Sequence, residues 1–458
     1  MASISHRKRI WGWMMFDFAS QPYSTLLLTF IFAPYFASAV VDDPVRGQEL
    51  WGYTLTIAGL CIAFAAPILG ALADSTGRRM PWIILFSIMY VVGSFGLWWA
   101  VPGTSNLVVI LGAFVIGLVG MEFATTFTNA LLPTLGTREE IGKISGSGWA
   151  LGYAGGVLAL IVMLLFLAEN EAGLTFLGNA PAFGLDPELR EGTRSVGPLT
   201  AIWYVIFMVP FFLWVHGDDA KRGAHKSATV KKAITDLRGT LRRLPQTPSL
   251  MVFLGSSMLY RDALGGLYTF GGIYALGVLG WSVVDVGVFG IIAAITAGVS
   301  SWATGKSDAR HGPKPVILWA TILLTLVCIT VVTITPTSVL GIGVLEGSSA
   351  PSIAFYICGS LIGAGGGSLQ ASSRTMLVRQ SNPARMTEAF GLYALAGKAT
   401  SFIAPLLIGI VTGLSESQRI GITPVIGLFL LALILLVWVN PEGESAEKWS
   451  SASPLPQA

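Results

Sequence analysis

Apolar runs long enough to cross a lipid bilayer recur twelve times along the chain, at 10–41, 50–73, 81–101, 106–132, 142–168, 198–216, 249–279, 283–304, 314–335, 351–377, 387–413 and 420–440. About twenty residues of helix cross a ~30 Å hydrocarbon core. Inside that core every backbone polar group needs a partner within the protein, which a helix supplies along its own length. Charged residues make up 12% of the chain and its mean hydropathy is +0.69. Soluble domains carry about 25% charge, so this chain has too little polar surface to cover itself. The expected fold is therefore an all-α polytopic membrane protein. Pro22, Pro34, Pro67 and Pro405 interrupt the runs, as membrane helices tolerate where neighbours re-satisfy the freed backbone groups. The basic opening "SHRKR" resembles the start of a secretory signal. The apolar run behind it, however, far exceeds the usual 7–15 residues and carries Asp17, so we read it as the first span.

Orientation follows from Lys and Arg, which gather on the cytoplasmic side. With a cytoplasmic N-terminus, Arg46, Arg190, Arg194 and Arg419 lie outside, Arg261 and Lys398 lie within spans, and the other 22 of the 28 face the cytoplasm. Eight of these fall in 218–247, a segment read as a topology signal and connector rather than a nucleic-acid site. The expected organisation is a six-helix bundle at 1–217, the basic connector 218–247, a second six-helix bundle at 248–440 and a cytoplasmic tail at 441–458. Both termini are expected in the cytoplasm, in a cell (inner) membrane.

The halves resemble each other at a nearly constant offset. Asp17 and Tyr23 match Asp262 and Tyr268 at 245; "WALG" (149–152) matches "YALA" (393–396) at 244; Asn129 falls opposite Arg374, again at 245. Paired parallel six-helix repeats with a site near the midplane are an architecture of secondary transporters.

Asp17, Glu122, Arg261, Asp262 and Lys398 all sit near mid-depth. Facing lipid, each costs roughly 2.5–3.5 kcal/mol. Together that approaches the ~5–15 kcal/mol stability of a whole protein, so they must face water or one another. Helical spacing puts Asp17, Ser20, Gln21 and Ser24 on one face, and Glu122, Thr125, Thr126 and Asn129 on another. Asp262 stands over Gly265, Gly266 and Thr269; Ser360, Gly363, Gly367, Gln370 and Arg374 form a stripe; Lys398 is followed by Ser401. The plain alternative is static pairing, of Asp17 or Glu122 with Lys398 and of Asp262 with Arg261 or Arg374. Three acids against two bases favour use over glue. Asp17, Glu122 and Asp262 are the candidate proton carriers. Tyr23, Gln21, Asn129, Trp149, Arg261, Tyr268, Gln370 and Lys398 are the candidate solute contacts.

Between spans 2 and 3 stands "GALADSTGRR" (70–79). Gly-x-Leu-x-Asp-x-x-Gly-Arg-Arg resembles the loop signature of the major facilitator superfamily. Gly77 permits a tight turn, and Arg78 and Arg79 hold it in the cytoplasm. Asp74 opposes its own helix dipole and so needs a donor from elsewhere. A weaker second copy, "GKSDARHGPK" (305–314), contributes Asp308. The resemblance implies a cytoplasmic gate containing Gly70, Asp74, Gly77, Arg78, Arg79, Asp308 and Arg374. It also implies two six-helix bundles, with helices 1, 4, 7 and 10 lining a central cavity.

"FDFASQPYST" (16–25), "FTNALLP" (127–133), "GWALGYAGG" (148–156), "LYRDALGGLYTF" (259–270) and "LQASSR" (369–374) are similar to one branch of that superfamily. This branch comprises the autophagy-linked vacuolar amino-acid effluxers and their bacterial relatives. Phe18, Ser20 and Gln21 depart from its pattern in span 1. The resemblance implies a secondary transporter of a small polar solute, an amino acid or related metabolite, with efflux favoured; proton coupling is the chemical expectation. A sugar or drug carrier, suggested by Trp13, Tyr23, Trp149, Tyr260, Tyr268 and Tyr393, and a non-transporting receptor are the alternatives. No Walker loop, Ser/His/Asp set or metal-ligand cluster is legible in the sequence, so no enzyme, cofactor or metal is expected. Cys61, Cys328 and Cys358 read as apolar packing. The expected partners are a small-molecule solute, protons and the bilayer, with no nucleic acid, and the expected state is a monomer.

Overall fold

The computed structural model describes residues 5–41, 44–170, 172–215, 244–281, 283–345 and 347–444, with isolated positions between 235 and 242. Most of the expected basic connector 218–247, and the tail beyond 444, lie outside the described residues. The long helices are α1 (His6–Pro22), α2 (Pro44–Thr76), α3 (Met80–Gly96), α4 (Leu107–Asn129), α5 (Ile141–Val162), α6 (Val196–Trp214), α7 (Pro248–Gly277), α8 (Val283–His311), α9 (Pro313–Thr333), α10 (Ala350–Gln380), α11 (Met386–Ala399) and α12 (Pro424–Val437). Among the described residues, ten helices are long and apolar enough to cross a membrane. The remaining two of the expected twelve are α1 with its continuation, and α7, which carries Arg261 and Asp262. A two-residue hairpin, Ser338–Val339 with Ile342–Gly343, follows α9.

Pro22 determines how the first span runs. It has no N–H, so the carbonyl of Phe18, four residues back, loses its helical donor. The indole Nε1 of Trp203 in α6 donates to that carbonyl at 3.2 Å, and the Phe18 ring stacks on the same indole. Past the proline the backbone widens into a π-helical stretch at Tyr23–Phe30 before bending at Ile31. Such widening is a usual answer to a break in the hydrogen-bond ladder.

Two compact units form. One holds α1–α4 together with Leu151 onward through α6; the other holds Leu132–Ala150 with α7–α12. The first ten residues of α5 therefore belong to the second unit. They cross α8 by backbone approach, where Gly142 and Gly146, four apart, meet Gly305. A Cβ at Gly146 would lie 2.3 Å from the Ser301 carbonyl oxygen. Without a hydrophobic drive between helices in lipid, small residues four apart let helices touch closely enough to gain dispersion contacts. In the first unit the core is aromatic: Tyr90 stacks on Tyr204 at 4.0 Å, and Ser87 and Tyr204 share a hydrogen bond.

Candidate functional site

In the first unit, two hydrogen bonds tie the first span to α4. Trp13 Nε1 donates to the Thr128 carbonyl at 2.8 Å, and Tyr23 Oη donates to the Phe114 carbonyl at 2.8 Å. The ties run antiparallel, ten residues along the first span against fourteen along α4. Interpolating between them sets Asp17 level with Glu122, to about one residue of helical rise. Both are half-buried, as are Gln21, Thr125 and Asn129. Ser20 and Thr126 of the same stripes are buried, and Thr125 and Thr126 return their hydroxyls to the carbonyls of Met121 and Glu122 on their own helix. On the α5 side the glycines of "GWALGYAGG" take the first span: a Cβ at Gly152 would lie 3.3 Å from the Asp17 carbonyl oxygen, and one at Gly155 2.3 Å from that of Phe18. Tyr23 corrects an expectation. It is wholly buried among Tyr90 and Phe114, with its hydroxyl committed to backbone, so it is a packing strut rather than a solute contact.

In the second unit, Gly397 of α11 likewise lies against the neighbouring span. A Cβ there would meet the Arg261 guanidinium at 2.5 Å. Arg261 Nη1 donates to the Tyr393 carbonyl at 2.8 Å, and its guanidinium carbon stands 4.1 Å from the centre of the Tyr393 ring. Asp262 has a backbone partner. Its Oδ2 accepts the Ala404 N–H at 2.9 Å, at the start of Ile403–Ser415, the helix that resumes after α11 breaks at Thr400. A buried carboxylate spent on an orphan N–H of a helix start is a cap. The static pair of Asp262 with Arg261 or Arg374 therefore does not form. Lys398 is half-buried at the end of α11, where its carbonyl accepts from Ser401 Oγ. Tyr268 and Gln370 come together at Gly366: a Cβ there would lie 2.1 Å from Tyr268 Oη, and Gln370 Nε2 donates to its carbonyl at 3.4 Å. Gly363 and Gly367 are seam residues against α8, facing the carbonyls of Ala293 and Ala297, and not part of a polar stripe.

At the end of α2, Asp74 pairs with Arg79 at 2.9 Å, both side chains nearly buried, and Arg79 also donates to the Ala130 carbonyl. The signature's own arginine is thus one donor to Asp74. Gly77, at φ 68°, closes the helix by giving its N–H to the Ala73 carbonyl; Gly70 is buried and Arg78 exposed. In the second unit, Asp308 is buried and accepts from Ser372 Oγ at 2.9 Å. Arg374, also buried, holds the start of α5: Nε donates to Ser145 Oγ at 2.9 Å and Nη2 to the Ser145 carbonyl at 2.6 Å, with its guanidinium 5.5 Å from the Trp149 ring centre. Trp149, expected as a solute contact, lies beside this arginine. Sequence reasoning missed Ser145, Trp203 and Gly397.

Apolar helices of bilayer length, polar residues held at mid-depth and a loop signature at the end of α2 together define a multi-pass membrane transporter. The fold is that of the major facilitator superfamily. It superposes on the human organic anion transporter MFSD10 (TETRAN) with a TM-score of 0.69 over 94% of this chain and 99% of that one, at 15% identity. On the proton:xylose symporter XylE the TM-score is 0.70 over 98% of each, at 12% identity. At these identities the likeness is one of fold. Within that fold the chain belongs to the family described as vacuole effluxer Atg22 like, which matches residues 50–448. The MFS-type transporter YxiO of Bacillus subtilis is 24% identical over 453 residues, 97% of both chains. Autophagy-related protein 22 of Cryptococcus neoformans is 25% identical over 301 residues, 64% of this chain and 48% of the relative, so the chain spans about half the length of that fungal protein.

Proposed function

We propose that this transporter is a secondary carrier that exports a small polar solute, an amino acid or related metabolite, by proton-coupled alternating access. In this reading both termini are cytoplasmic, and the membrane is the cell (inner) membrane. The observation that carries it is the pair of carboxylates, Asp17 and Glu122, set level on two spans tied to each other by hydrogen bonds. Ionisable side chains inside the membrane are expensive and mark ion and substrate pathways. The description of the family as effluxers supports the direction. Gln21 and Asn129 are the proposed solute contacts of the first unit, and Arg261, Tyr268, Gln370 and Lys398 those of the second. Arg374 with Ser145, and Asp74 with Arg79, are the proposed cytoplasmic latch.

The test is reconstitution in liposomes holding a pH dye, screened with pooled amino acids, sugars and peptides, alongside Asp17→Asn. Solute-dependent proton movement that disappears in the variant is the expected result. Solute flux with no proton movement would remove the coupling, and ligand binding with no flux of any pool would make the protein a receptor.

A further inference from the structure

Arg261 is a mid-depth cation whose neighbours hold it without neutralising it. Its adjacent acid, Asp262, is committed to Ala404. Among the described residues no carboxylate stands within ion-pair distance of the guanidinium. One of its five N–H donors is taken, by the Tyr393 carbonyl at 2.8 Å. The ring of the same tyrosine lies 4.1 Å from the guanidinium carbon, and Gly397, one turn on, leaves the space the head group occupies. An arginine left in the low-dielectric part of a membrane protein without a counter-ion is costly. Here a tyrosine and a glycine on α11 fix its orientation. Stacking and a single carbonyl bond position a guanidinium while leaving most of its fork open, the arrangement that receives a planar anion through two parallel hydrogen bonds.

We infer that Arg261, seated on Tyr393 and Gly397, is a carboxylate-binding site of the second unit, so that the solute carries a carboxylate. The inference rests on the transport reading for what delivers the ligand, but not for the site's existence. Gly397 and Tyr393 are positioning residues. They set the angle at which the fork is presented, so they govern discrimination between an acid and its uncharged analogue.

The experiment measures equilibrium binding to the full chain in detergent, using a panel of L-amino acids and the corresponding C-terminal amides, which lack the carboxylate. The variants are Arg261→Gln, Arg261→Lys and Gly397→Ala. The wild type should bind at least one acid about 10- to 100-fold more tightly than its amide, the usual worth of a charge-assisted hydrogen-bond pair. Arg261→Gln should bring that ratio to about one. Arg261→Lys should restore part of it, since charge remains while the fork is lost. Gly397→Ala, whose Cβ would displace the guanidinium, should lower the acid-to-amide ratio while affinity for the amide stays put; a merely structural role would weaken both together. Melting temperature serves as the folding control, and removing an uncompensated charge should not lower it. A wild type that binds no acid of the panel above its amide overturns the site, even if another solute is carried. So does an acid preference retained in Arg261→Gln. Absence of flux alongside acid binding that depends on Arg261 would refute the transport reading while leaving the site standing.

Discussion

Gly155→Ala probes the α1–α5 seam where the Pro22 break, the Trp203 bond and Asp17 converge. A Cβ at position 155 would sit 2.3 Å from the Phe18 carbonyl oxygen and 3.0 Å from its Cα. Ordinary contact begins near 3.4 Å, so the first span must retreat by about 1 Å. Both closest atoms are backbone, and no side-chain rotation relieves the clash. Overpacking of this kind costs about 1–3 kcal/mol. The retreat also shifts the Phe18 carbonyl relative to Trp203 Nε1, already at 3.2 Å, and any lengthening breaks that bond. Because Pro22 has removed that carbonyl's helical donor, the oxygen is then orphaned at about 1 kcal/mol or more. The combined loss is about 2–4 kcal/mol. Asp17 precedes Phe18 and moves with it, and a 1 Å misplacement of a working group can cost about 100-fold in rate. The assay is paired: thermal unfolding of purified protein followed by tryptophan fluorescence, and solute-driven proton flux in liposomes. Gly59→Ala is the control, since nothing lies within 4 Å of its would-be Cβ and alanine is the better helix former. Gly155→Ala should melt several degrees lower and lose most flux, whereas the control should hold or gain. If Gly155→Ala behaves like the control, the close approach of α1 and α5, and the placement of Asp17 argued from it, are wrong.

Other consequences are more local. Asp74→Asn removes one side of a nearly buried ion pair. Breaking such a pair from one side costs about 3–5 kcal/mol, so the yield of folded protein should fall sharply, and size-exclusion profiles of the two proteins would show it. Asp262→Ala uncaps Ile403–Ser415 at Ala404. The loss should be about 0.5–2 kcal/mol, the usual worth of a cap, read as faster hydrogen exchange confined to residues 403–406. A uniform acceleration across the second unit would mean that Asp262 does more than cap.

Twelve apolar runs of helix-spanning length with 12% charge already place the chain in a membrane as helices, because a helix satisfies its backbone along its own length. The sequence also marked the Gly77 turn, the polar stripes of the first and fourth spans and, through an offset of 245, the correspondence of the two halves. Periodicity shows which residues share a face, but not whether that face meets water, lipid or a neighbouring helix. Only the tertiary structure decided that. It turned Tyr23 from a solute contact into a strut by setting Phe114 against its hydroxyl. It spent Asp262 on an N–H more than a hundred residues away. It set Arg261 on Tyr393 and Gly397, with no carboxylate in ion-pair distance among the described residues. A charge inside a membrane protein must have a partner, but the partner's identity depends on distances between residues remote in the chain, which no one-dimensional pattern encodes.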